Sequence, residues 1–237
     1  MNPRREPACR FRSADLAALD EPVRRYLAHA LVEGGALHGG VELRMAGRIK
    51  VGPWLAFSAT QRLTADAFEW RARAGIGRLR PLHVVDRYVP GSGATDGRLF
   101  GRWSFLHADD DDTARAAAGR AAAERMWAPG SLVPQQGVSW RAESDEHVVA
   151  TLSVPPERPE VHLRIDPDGR VRSVRLERWG KVGRPAYGYI PFGGEVAEER
   201  RFGDVVIPSR LTVGWWFGTP RYAPFFEATL LDARPAD

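Results

Sequence analysis

The chain has 237 residues, of which 43% are hydrophobic and 27% charged, the balance of a soluble globular protein, and this excludes global disorder. Its single cysteine excludes an intrachain disulfide, and no run approaches the roughly 18 apolar residues of a membrane span. The formal charge of +4 reflects 34 Lys and Arg, only Lys50 and Lys181 being lysine, spread so that the basicity reads as Arg-biased composition and not as a nucleic-acid surface.

The opening MNPRREPACRFRSADL lacks the apolar run of a secretory signal, so a cytoplasmic location is expected. Cys9 reads as a free thiol in a flexible segment 1–12, with 13–237 as one domain. Ser13 and Asp20 are candidate N-caps, Pro22 suits a first helical turn, and Val23, Tyr26, Leu27, Ala30 and Leu31 recur at helical spacing until Gly34-Gly35. That is one amphipathic helix.

Strand signals follow over 41–51, 54–63, 68–76, 83–89 and 98–107, separated by Gly52-Pro53, Ala65-Asp66 and Gly91-Ser92-Gly93. A second, alanine-rich helix is expected from Asp112 to Trp127, capped by Asp111 or Asp112 and ended by Pro129-Gly130. Seven further strands are expected at 138–144, 147–154, 160–165, 170–179, 195–202, 205–216 and 225–231, with Asp166-Pro167-Asp168-Gly169 as a hairpin turn and Pro208 marking an edge or a bulge. Sheets this long curl or split. The fold class is therefore α+β and predominantly antiparallel, a curved sheet or half-barrel of about 10–12 strands covered by two helices.

EPVRRYLAHAL, WRARAGIG and YIPFGGEVAEERRFGDVVIPSRLTVGWWFGT resemble a family of bacterial proteins known as a domain of unknown function, over nearly the whole chain. More distantly, the order of elements is similar to that of outer-membrane lipoprotein carriers and related periplasmic lipid-binding proteins. That likeness implies an incomplete barrel closed by helices, with an apolar cavity for a hydrophobic ligand. No carrier residue can be transferred, because no motif aligns residue by residue.

Eight tryptophans suit such a cavity, and they suit a large core equally well. The candidate lining is Trp70, Trp103, Trp127, Trp140, Trp179 and Trp215. Tyr187, Tyr189, Phe192 and Glu195 stand among Gly183, Gly188, Gly193 and Gly194, which suggests a loop at the cavity rim where Glu195 and Tyr189 orient a polar head. Asp109 to Asp112 read as a helix cap, and His83 with Asp86 as exposed strand residues. No catalytic residue set, metal-ligand spacing or cofactor loop is present in the sequence. The reading that follows is non-enzymatic binding of an apolar or amphipathic, lipid-like small molecule. Two alternatives stay open: an enzyme using carboxylate and tyrosine acid-base groups in 183–195, and a protein-interaction module.

Overall fold

A computed structural model describes residues 9–236. Strands β1 to β6 are Gly40–Lys50, Trp54–Leu63, Phe68–Ile76, Leu79–Val89, Ser92–Leu99 and Trp103–Ala108. Strands β7 to β13 are Ser139–Ala142, His147–Thr151, Glu160–Ile165, Val171–Gly180, Gly188–Phe202, Val205–Trp215 and Ala223–Ala236. Helices α1 and α2 are Glu21–Ala30 and Asp111–Glu124. All 13 strands form one antiparallel sheet in the order β6-β5-β4-β3-β2-β1-β13-β12-β11-β10-β9-β8-β7. The sheet is open and curved. Two meanders therefore run outward from the central β1–β13 pair, and the chain crosses from one outer edge to the other through α2.

Local sequence explains the elements. Along β2, Leu55, Phe57, Ala59 and Leu63 are buried while Ser58, Thr60 and Arg62 are exposed, the period-2 pattern of a sheet with one covered face. Helix α1 buries the expected stripe of Val23, Tyr26, Leu27 and Ala30 and packs on β7, β8 and β12. Helix α2 is capped one residue earlier than expected, where the Asp110 carboxylate accepts from the Thr113 N–H at 2.8 Å. Its buried Ala117, Ala118, Ala121 and Ala122 let the helix lie close against β5 and β10. A helix of large side chains would stand further off. By touching a strand from each meander, α2 spans the hollow of the curved sheet.

Three expectations need correction. The stretch expected as one strand over 98–107 is a hairpin, because Phe100 (φ 52°) and Gly101 (φ 72°) are both left-handed and reverse the chain. A phenylalanine in that conformation carries no sequence signal. The expected rim loop is mostly strand: β11 begins at Gly188 and carries Tyr189, Phe192 and Glu195. Gly193 and Gly194 are there for space, since a Cβ would run into the carbonyl oxygens of Val174 and Thr212 on the two flanking strands. Lastly, residues 9–12 of the segment expected to be flexible are tied down. Phe11 is buried and exchanges backbone hydrogen bonds of 2.9 Å with Gly34 and Gly35. Residues 1–8 lie outside the described residues. The bulge expected at Pro208 is present, opposite Glu199, with register shifts on both sides of Glu198.

Since backbone oxygens cannot move aside without breaking the ladder, Gly194→Val is expected to destabilise by about 3 kcal/mol or more. At roughly 2–4 °C per kcal/mol for a chain of this size, thermal denaturation should show a midpoint lower by about 10 °C.

Candidate ligand-binding site

The hollow side of the sheet is not filled. A cavity of about 300 Å³ lies between α2 and strands of both meanders, a volume at the lower end of the range of small-molecule sites. Aromatic walls come from Trp70, Trp127, Phe192, Trp215, Phe225 and Phe226, and Ile49, Val84, Val174, Leu211 and Val213 fill in between. The strand period places Leu211, Val213 and Trp215 on one face of β12. On β13 a bulge does more. Val213 pairs with Phe226 and Gly214 with Pro224, so Phe225 is an extra residue, and two consecutive rings reach the same cavity. Phe192, Trp215 and Phe225 then contact one another, with ring centroids 5.1 to 6.4 Å apart.

One wall is polar and centred on Arg120 of α2. Its Nη1 donates to Asp86 Oδ2 at 2.5 Å and its Nε to Glu124 Oε1 at 2.8 Å. The remaining carboxylate oxygens are also engaged: Thr95 Oγ1 donates to Asp86 Oδ1 at 2.8 Å, and Gln61 Nε2 to Glu124 Oε2 at 2.6 Å. The guanidinium lies 4.7 Å and 5.1 Å from the ring centres of Phe68 and Trp70. Burial acts to lower the Arg120 pKa, but the Glu124 and Asp86 carboxylates together outweigh it and hold the group above its ordinary value.

Arg178 of β10 is different. Its Nε donates to the Ala116 carbonyl at 3.0 Å, and its guanidinium rests 4.6 Å from the Phe192 ring centre and 5.1 Å from that of Trp215. No carboxylate lies within ion-pair distance of it among the described residues. Burial first, and then the charge of Arg120, push its pKa down to about 10. The stem fits because residue 119 is glycine, where a Cβ would stand 2.8 Å from Arg178 Cγ. A second donor without a partner, Trp70 Nε1, is buried in the same wall. The site thus offers an apolar, aromatic hollow with one balanced ion cluster and one cation whose terminal N–H groups are unspent.

Of the ten residues singled out in the sequence, the fold brings Trp70, Trp127, Phe192 and Trp215 together at the cavity. Trp127 also donates its indole N–H to the Pro208 carbonyl at 3.0 Å. Trp140 instead packs against Tyr26 of α1, donating to the Leu132 carbonyl. Trp103 is exposed on the edge strand β6 beside Phe100. Trp179, Tyr187 and Tyr189 form a surface cluster: Arg115 stacks 3.4 Å from the Trp179 ring centre, and Tyr189 Oη donates to Glu157 Oε2 at 2.6 Å. The Glu157 hydrogen bond is also the main reason the Tyr189 pKa is raised. Glu195 is exposed in the middle of β11 and reaches Arg164 at 3.7 Å.

The polar wall was not singled out in the sequence. Asp86, read there as an exposed strand residue, shares the inward face of β4 with Val84 and with buried Tyr88. Arg178 occupies the inward register of β10, on the face of buried Val174 and Leu176. A charged residue standing in an otherwise apolar register is the signal that could have found both.

Residues 9–228 match the model of a family of unknown function, DUF6544. Among solved structures, the chain is similar to a putative outer membrane lipoprotein-sorting protein domain from Vibrio parahaemolyticus, with 10% identity and a TM-score of 0.47 over 83% of this chain and 85% of that one. It is also similar to a LolA superfamily protein from Nitrosomonas europaea, with 8% identity and a TM-score of 0.46 over 91% and 92%. A third likeness is to a DUF1329 family protein from Desulfovibrio piger, with 10% identity and a TM-score of 0.41 over 90% of each chain. These likenesses concern architecture only. No curated protein matches the sequence.

Proposed function

The chain belongs to the DUF6544 family, and from its own cavity we propose that it binds a small apolar or amphipathic, lipid-like molecule between α2 and the curved sheet. The observation that carries this reading is the open volume of about 300 Å³ walled by six aromatic rings, in a chain with residues large enough to have filled it. Each methylene moved from water into such a hollow contributes ~0.8 kcal/mol, so an eight- to ten-carbon tail is enough for useful affinity. The polar end of the ligand faces Arg178, the one cation in the wall that has no carboxylate partner.

Solvent extraction of the purified protein followed by mass spectrometry tests the reading, together with calorimetric titration of decanoate and decanol. Both are expected to bind. Val213→Trp, which places an indole inside the cavity, should weaken both at least tenfold and leave the melting temperature unchanged or higher. If neither compound binds at millimolar concentration and no apolar species is extracted, the binding reading is wrong.

A further inference from the structure

Strand order sends six connections to the same end of the sheet, those joining β1–β2, β3–β4, β5–β6, β8–β9, β10–β11 and β12–β13; the β8–β9 connection carries Glu157, which pairs with Arg115 at 2.5 Å, and the other five are turns free of acids. Their residues share an unusual composition. Stretches 49–54, 76–82, 98–104, 181–188 and 216–222 contain no Asp or Glu, and they hold Lys50, Arg78, Arg80, Arg98, Arg102, Lys181, Arg184 and Arg221. Both lysines of the chain are among these eight cations. None of the eight makes an ion pair among the described residues, and all but Arg80 are exposed. Between them stand large apolar side chains in water: Ile76 is 76% exposed, Leu79 65%, Trp103 63% and Phe100 53%, with Val51, Val182 and Tyr187 also exposed. Turns at the other end carry the opposite sign, with Asp66, Glu143, Asp145, Glu146, Asp166, Asp168 and Asp204.

We propose that this end of the sheet is a docking surface for an anionic lipid bilayer. Unpaired cations are drawn to a negatively charged leaflet, each by about as much as changes binding fivefold. Exposed Ile, Leu, Trp and Phe gain by entering the interfacial region, and a patch of this kind is otherwise an aggregation liability on a soluble protein. Aliphatic side chains distinguish the surface from a nucleic-acid site, which would spend its aromatics on stacking and has no use for Ile76, Leu79, Val51 or Val182. The acidic turns at the far end orient the molecule, since the same leaflet repels them. Ile49, Trp215 and Phe225, which line the cavity, lie next to the turns of the basic end, so docking holds the cavity beside the lipid.

Flotation with unilamellar vesicles tests this without reference to any cavity ligand. The full chain should float with phosphatidylcholine vesicles containing about a third phosphatidylglycerol and remain in solution with pure phosphatidylcholine, and the binding should weaken as salt shortens the Debye length. Arg78→Glu with Arg102→Glu should lower the affinity roughly a hundredfold. Ile76→Ser with Trp103→Ser should lower it at least tenfold, and Arg200→Glu with Arg201→Glu, the same charge change near the acidic end, less than threefold. Near-UV circular dichroism confirms that each variant is folded. Absence of binding to anionic vesicles, equal losses from the two charge pairs, or tighter binding of a single-stranded oligonucleotide unaffected by the Ile76/Trp103 change would each overturn the proposal. Decanoate titration of the same variants separates the two readings, because loss of docking leaves cavity binding intact.

Discussion

Arg120→Leu is expected to destabilise the protein by about 3–5 kcal/mol, among the largest effects of any single change in the cavity wall. The attraction lost is only part of the reason. Asp86 and Glu124 have side-chain exposures of only 17% and 13%, and without the guanidinium they are left as two partly buried charges facing each other, held only by Thr95 and Gln61. The midpoint of thermal unfolding should fall by about 10 °C at neutral pH. Combining Arg120→Leu with Asp86→Asn and Glu124→Gln should recover most of the loss, because the three residues form one network and their effects do not add. A deficit that persists undiminished in the triple variant would show that the cluster does not act as a charge network.

The same cluster shows how far the sequence could be read. Alternation and turn residues place β1, β2, β3 and β9 to within about one residue, and the helical stripe of α1 is plain in Val23, Tyr26, Leu27 and Ala30. These signals are local, set by the period of one element against one buried face. The cavity is not local. Trp70, Trp127, Phe192 and Trp215 come from two meanders and the segment after α2, and nothing in their spacing separates them from Trp103, Trp140 and Trp179, which face solvent or other parts of the core. Arg120 and Arg178 carry a fainter signal, a charge where the period calls for an apolar residue. The charge asymmetry is the clearest case. Read along the chain, the arginines look evenly interspersed, yet hairpin parity sends turns 49–54, 76–82, 98–104, 181–188 and 216–222 to one end and the aspartate-rich turns to the other. Composition by turn, sorted by odd and even hairpins, shows part of the asymmetry in the sequence itself, but not the share of 98–104, where the reversal at Phe100 leaves no local signal.

Arg178→Met should move stability and binding in opposite directions. The folded state holds this guanidinium at a pKa of about 10, below its ordinary value, which means that folding disfavours its charge at every pH below that. Removing the charge relieves the penalty. Methionine keeps most of the stem that packs on Gly119 and the rings of Phe192 and Trp215, and the Ala116 carbonyl stays within the hydrogen-bond ladder of α2. The ligand-free variant should therefore be more stable by about 1–3 kcal/mol, a rise of a few degrees in the melting temperature. Decanoate should lose about 10- to 100-fold in affinity, the loss of a charge-assisted hydrogen bond in a dry site, while decanol should change less than threefold. In the parent protein the preference for decanoate over decanol should fade as pH rises through about 10, where Arg178 gives up its proton. Calorimetry on both compounds and both proteins at pH 7.5 and 10.5 reads all of these effects. A destabilised Arg178→Met variant, or one that loses decanol and decanoate equally, would show that the cation is a structural part of the wall and not the group that receives the polar end of the ligand.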